Sequence, residues 1–353
     1  MSSLPSVVLL VIFIVSAAVI WGAGIKLSDY TDVLAERLHL GDALGGVVLL
    51  AVATNLPEIA ITVSAALSGH VEIAVGNLLG GIALQTVVLV ALDAFGVRSH
   101  KPLTYMAASL TLVLEAGLVL AVLMVVIAGS QLPAHLIVLR LTPAPVLIVI
   151  FWVIGLKVIS GPGSRLPWAD SGEAPGGQEK PRGHSRTATE QDATSRHVST
   201  GKAVTVFGGA ALLTLVAGVA IERSGESFFG NLGLSGILFG ATVLAAATSL
   251  PELSTGLTAA RGGDYKLAMG DIFGGNAFLP VLFLAVTLIS GKAVLPHAQA
   301  SDIYLTALGG LLTLVYLVGL VFRPQRQMLG MGVDSLAVIV LYIVGVVGLV
   351  SLQ

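Results

Sequence analysis

Ala53-Thr54-Asn55-Leu56-Pro57-Glu58 returns almost unchanged as Ala247-Thr248-Ser249-Leu250-Pro251-Glu252, and Gly76-Asn77-Leu78-Leu79-Gly80-Gly81 returns as Gly270-Asp271-Ile272-Phe273-Gly274-Gly275. Both pairs are displaced by the same 194 positions without a gap, and 12 of the 31 positions from 54 to 84 are identical to their counterparts from 248 to 278. A restricted apolar alphabet explains matching Leu, Ala and Gly in two helices, but not a matching Glu. The chain therefore reads as an internal duplication.

Both copies sit in strongly apolar surroundings. Of 353 residues, 55% are hydrophobic and 11% charged, with a mean hydropathy of +0.95, whereas soluble domains carry about 25% charged residues. A single soluble domain is excluded. Ten apolar runs lie at 7–25, 41–68, 71–96, 103–128, 136–159, 203–222, 233–260, 266–290, 302–322 and 333–351, and about 20 apolar residues cross a bilayer as a helix. They are long and continuous, unlike the alternating ten-residue strands of an outer-membrane barrel. The first run has no basic residue before it and no small-residue cleavage site after it, so it reads as a retained helix. The expected fold is an all-α membrane protein of about ten transmembrane helices.

Residues 160–202 are rich in Gly, Pro, Ser, Thr and charge and read as a linker. It divides a first five-helix repeat, 1–159, from a second, 203–353. An odd number of helices separates the two copies, so the second is inserted upside down, the arrangement of secondary transporters that hold substrate near the midplane. With ten crossings, 15 of the 18 Lys and Arg residues, from Lys26 to Arg326, fall on one side; the other has Arg223, Lys292 and, inside the fifth run, Arg140. The positive-inside rule then places the linker in the cytoplasm and both termini outside. Short loops and a small linker point to the plasma membrane of a bacterium or archaeon.

Several function classes fall away. A net charge of −2 offers no basic face for nucleic acid, and the lack of Cys excludes disulfides and thiolate metal sites. There is no HExxH, Walker sequence or nucleophile elbow, so neither an enzyme nor a resident cofactor is expected. The partners implied are the lipid bilayer and small inorganic cations; oligomeric state is not legible.

The duplicated residues carry the chemistry. Glu58 and Glu252 lie well inside apolar spans, where an ionised carboxylate costs several kcal/mol unless a cation or proton compensates it. Pro57 and Pro251 have no N–H for the carbonyls of Ala53 and Ala247 and open the helix there, freeing backbone oxygens beside each Glu. Thr54, Thr248 and Ser249 add hydroxyls. Ligation by oxygen alone suits Ca2+, Na+ or Mg2+. Gly76 with Gly80 and Gly270 with Gly274 form GxxxG pairs that allow close helix packing. Asn77 and Asp271 complete the site as polar ligands or serve as interhelical hydrogen bonds, and Asp271 makes the two halves electrically unequal. Glu115 and Arg140 read as a structural ion pair, with a proton pathway as the alternative.

On the two repeated stretches just quoted, extended to Asn276, the chain resembles the calcium/cation antiporter superfamily, which includes sodium/calcium and proton/calcium exchangers. The resemblance implies two alpha-repeats with Glu58 and Glu252 as central ion ligands, Thr54, Thr248 and nearby carbonyls around them, and first and sixth helices that slide to alternate access. The family often has Ser where this chain has Gly81 and Gly275, a polar or acidic ligand where it has Gln85 and Leu279, and Asn where it has Asp271. The expected function is secondary antiport of Ca2+ for H+ or Na+ at a two-glutamate site. The candidate ligands are Glu58, Glu252, Asp271, Thr54, Thr248, Ser249, Asn77 and Gln85, with the backbone of Ala53 and Ala247. A cation channel, or an antiporter for a different cation, is the alternative.

Overall fold

The computed structural model describes residues 4–37, 49–159, 198–233 and 236–351. The expected linker, apart from 198–202, and residues 41–48 of the second apolar run lie outside the described residues.

The described helices of the first half are α1 (Ser6–Arg37), α2 (Leu49–Thr54), α3 (Leu56–Leu67), α4 (Val71–Phe95), α5 (Leu103–Ala107), α6 (Leu110–Ser130) and α7 (Pro143–Ile159). Those of the second half are α8 (Thr200–Asn231), α9 (Gly236–Phe239), α10 (Ala245–Thr248), α11 (Leu250–Arg261), α12 (Tyr265–Phe278), α13 (Leu282–Ser290), α14 (Ala300–Phe322) and α15 (Val333–Val350). Joined across their breaks, they make ten crossings in two inverted sets of five. Seven spans among the described residues, one of them α12 and α13 taken together, are long and apolar enough to cross a bilayer.

The breaks follow local chemistry. Pro57 and Pro251 take the second position of α3 and α11, so α2 and α10 stop short and one residue, Asn55 or Ser249, leaves the helix between them with φ near −80° and ψ of 14° or 9°. In the second half a π-helical turn, Gly240–Leu244, precedes α10. Pro280 interrupts the eighth crossing with a 3-10 turn at Leu279–Val281, whereas Thr86 at the equivalent place leaves α4 unbroken. The repeat extends to loop backbone. Gly69 and Gly263 adopt φ of +79° and +88°, a left-handed conformation open to Gly.

The expected bounds of four helices are corrected. The first and sixth helices run past their apolar stretches, because α1 and α8 pack along each other and continue beyond the hydrocarbon-length segment. The fourth crossing is broken at Ala108 and Ser109, with Ser109 Oγ accepting from Leu112 N at 3.2 Å. Arg140 lies outside the fifth helix. Pro133 and Pro143 confine that segment to a turn, with Leu139 and Arg140 at φ of 51° and 60° and Val138 paired to Leu141.

Around α4 and α12, apolar side chains such as Leu78, Leu79, Ile82, Ile272 and Phe273 pack with α6 and α14 into the main core. The outer faces of α1, α7, α8 and α15 expose Ile14, Ile154, Leu212, Val216, Ile343 and Val347, a surface suited to lipid. The polar residues are inverted relative to a soluble protein. Thr54, Asn55, Glu58, Gln85, Thr248, Ser249, Glu252, Asp271 and Asn276 are all buried.

Candidate cation site

Each broken helix presents its Glu at the start of a half-helix. Glu58 lies in the first turn of α3 and Glu252 in the first turn of α11, where unpaired N–H groups and the helix dipole favour negative charge. Gln85 of α4 joins the two. Its Nε2 lies 3.4 Å from Glu58 Oε1, 3.3 Å from Glu252 Oε1 and 2.9 Å from Asn55 Oδ1. One amide nitrogen is thus shared by carboxylates from opposite halves. With two N–H groups for three acceptors, it cannot saturate them.

The threonines cross over as well. Thr248 is a polar neighbour of Glu58, and Thr54 of Glu252. Each also turns back on its own helix, Thr54 Oγ1 to Leu50 O at 3.1 Å and Thr248 Oγ1 to Ala245 O at 3.2 Å. Asn55 Nδ2 donates to Ala51 O at 2.7 Å, which fixes the break in the first half. Ala53 and Ala247 lie buried one residue before these threonines.

Asn77 and Asp271 hold equivalent positions but do different things. Asn77 Nδ2 donates to Glu58 O and to Thr62 Oγ1, both at 3.2 Å, which ties α4 to α3. Asp271 has no N–H to give, and Gly256 replaces Thr62 in its half. Its Oδ1 instead lies 3.4 Å from Thr54 Oγ1. The described residues contain no cluster of three or more His, Cys, Asp or Glu side chains arranged to hold a metal. Asp271 thus stands beside the glutamate pair, next to Thr54.

Glu58 Oε2, Glu252 Oε2, Asp271 Oδ2, Gln85 Oε1, Ser249 Oγ and Asn276 Oδ1 are buried without a hydrogen-bond partner among the described residues. Buried polar atoms are nearly always paired, so six such oxygens in one region mark a place for a ligand that accepts oxygen donors.

A sequence profile of the sodium/calcium exchanger protein family matches residues 8–156 and 202–350. The chain belongs to this family. Among relatives of the exchanger are CaxA of Alkalimonas amylolytica, an antiporter by name, at 26% identity over 268 residues, and the inner membrane protein YrbG of Escherichia coli K12, at 23% over 273. The first alignment covers 76% of each chain and the second 77% of each. The fold is shared with the sodium-calcium exchanger NCX_Mj, with a TM-score of 0.61 at 17% identity over 97% of this chain and 99% of that one. It is also shared with the H+/Ca2+ exchanger CAX, at 0.67 and 16%, over 97% and 86%. The exchanger is thus a multi-pass membrane cation antiporter and not an enzyme.

One expected contact of the exchanger is corrected. Arg140 Nη1 donates to Leu288 O at 3.1 Å from an exposed position, while Glu115 is buried against α12. The pairing fails because the proline-bounded turn carries Arg140 out of the bundle. Two residues escaped the sequence reading as ligands. Asn55 buttresses Gln85, and Asn276, whose Nδ2 donates to Thr86 Oγ1 at 3.0 Å, leaves its carbonyl free. Both are amides in apolar runs beside duplicated residues, and that was the available signal.

Proposed function

We propose that this antiporter exchanges Ca2+, or a hard cation of similar size, for protons at one site made by Glu58 and Glu252. Gln85 Oε1, the Ser249, Thr54 and Thr248 hydroxyls and the carbonyls released at Ala53 and Ala247 supply neutral oxygens. The observation that carries this reading is the convergence of two carboxylates on Gln85 Nε2, with an oxygen of each left unpartnered. Two like charges in a low-dielectric interior repel. A divalent cation neutralises both, and so do two protons, hence the two species compete. Neutralisation by either lets the site face the other side; the charged, ligand-free pair resists the transition.

Protons are favoured over Na+ by the space around Gly81, the residue after the first GxxxG pair. A Cβ on Gly81 would meet Leu279 Cδ1 at 3.9 Å, so that flank offers hydrocarbon where a Na+ would need oxygen. The Lys- and Arg-rich face with the linker is cytoplasmic, and both termini lie outside a plasma membrane.

The test is radioactive Ca2+ uptake into inside-out vesicles under an imposed pH or Na+ gradient. Uptake should follow the pH gradient and vanish in Glu58→Gln and Glu252→Gln. Uptake driven by Na+ alone would refute the counter-ion, and passive flux independent of both gradients would refute exchange.

A further inference from the structure

The charge at Glu115 has no use in the site described above. Its helix, α6, turns Leu112, Ala116, Val119, Val122 and Val126 toward the core, and Glu115 is the one charged member of that buried stripe, 5% exposed. Its Oε2 has no hydrogen-bond partner among the described residues. The carboxyl fills the space left by the missing side chain of Gly270: a Cβ there would stand 3.3 Å from Oε2 and 3.9 Å from Oε1. The next residue, Asp271, has its Oδ1 3.4 Å from Thr54 Oγ1 and is a charged neighbour of Glu252.

We propose that Glu115 is a proton-carrying site, linking the central site to the membrane face that bears the loop at 96–102. The inference rests on H+ being the counter-ion. An ionised carboxylate so placed costs several kcal/mol unless it is compensated, and a lone carboxyl whose Oε2 has no hydrogen-bond partner among the described residues suits a proton better than a metal ion, which needs several oxygens. Below it, the Ala108–Ser109 break puts non-helical backbone within the membrane crossing, which is tolerated where it is buried in protein or borders water.

The ionisable groups on the packed helices do not neutralise Glu115. On α12, Asp271 turns to Thr54 and Lys266 sits at the helix start, half-buried. On α7, Lys157 is exposed. On α14, Tyr316 bonds Ser335 at 3.2 Å, Tyr304 lies beside Gly348, and Asp302 accepts from Gln299 N at 2.8 Å. His297, in the turn before α14, is exposed. Asp302 is the counterpart on the other side of the pseudo-two-fold axis, since its Oδ1 would lie 3.7 Å from a Cβ on Gly76, the equivalent of Gly270. Its helix cap gives Asp302 a structural reason that Glu115 lacks.

The test uses the full-length protein in liposomes, with an internal pH dye to follow proton movement driven by a Ca2+ gradient and radioactive Ca2+/Ca2+ exchange as a proton-independent control. Glu115→Gln should lower Ca2+-driven proton movement by about tenfold or more with Ca2+/Ca2+ exchange intact, and Glu115→Asp should recover part of it. Undiminished proton movement in Glu115→Gln overturns the inference, as does equal loss of both fluxes with no recovery in Glu115→Asp. If the wild type shows Ca2+/Ca2+ exchange but no proton movement, the counter-ion reading itself falls and takes the inference with it.

Discussion

Gly24 of α1 packs directly on Pro251 of α11: a Cβ on Gly24 would stand 2.8 Å from Pro251 Cβ. Its counterpart 194 positions on, Gly218 of α8, packs in the same way on Pro57 of α3, at 3.1 Å from Pro57 O. Each long outer helix therefore touches the kink of the opposite half, next to the glutamate that the kink positions. At these two contacts a shift of α1 or α8 would bear directly on the kinks beside Glu252 and Glu58.

Gly24→Ala and Gly218→Ala should accordingly slow Ca2+ uptake to a similar degree. Overpacking at such a contact costs about 1–3 kcal/mol, enough for about a tenfold slowing. Gly22→Ala, at a position with open space around it, should leave the rate unchanged. Initial rates in vesicles at matched protein content check this, and equal tolerance of all three substitutions would remove the two contacts from the mechanism.

Equivalent glycines in the two halves should respond oppositely. A Cβ on Gly275 would meet Asn55 Nδ2 at 2.7 Å, whereas one on Gly81 makes only an ordinary contact with Leu279 at 3.9 Å. Gly275→Ala displaces Asn55 from Gln85 and should weaken Ca2+ binding by about tenfold, as loss of a supporting residue commonly does. Gly81→Ala should bind as the wild type does. Equilibrium binding of radioactive Ca2+ separates the two.

Asn77 and Asp271 should likewise divide between stability and transport. Asn77→Ala leaves Glu58 O and Thr62 Oγ1 without their donor, and its expected cost is about 1–3 kcal/mol of stability, read as a lower Tm in detergent. Asp271→Asn removes a buried carboxylate in favour of a neutral group of the same shape. Its Tm should equal or exceed that of the wild type, while its uptake falls. A lower Tm in Asp271→Asn with normal uptake would assign Asp271 to the fold alone.

What the sequence revealed was set by local chemistry. The duplication and the Pro-Glu pairs were visible because Pro breaks a helix wherever it falls inside one, and a Glu in an apolar run needs compensation in any fold. The inversion followed from counting five apolar runs. Partner choice was not local. Asn77 and Asp271 look interchangeable as polar residues after a Gly, but only an amide can donate to Glu58 O, and only the presence of Thr62 in one half and Gly256 in the other settles where each turns. Arg140 was assigned to Glu115 because both were read as lying inside spans; the turn between Pro133 and Pro143 took it elsewhere. Gln85 was a plausible ligand, but its place between the two glutamates depends on how α4 crosses both broken helices, which spacing along the chain does not encode.

The central claim is that glutamates from the two inverted halves share one cation. Calorimetric titration of the purified protein with Ca2+, in the wild type, Glu58→Gln and Glu252→Gln, tests it most directly. The account predicts one Ca2+ per chain, displaced by lowering the pH, with binding lost in both variants. Two Ca2+ per chain with only one lost in each variant, or binding retained in either, would contradict it.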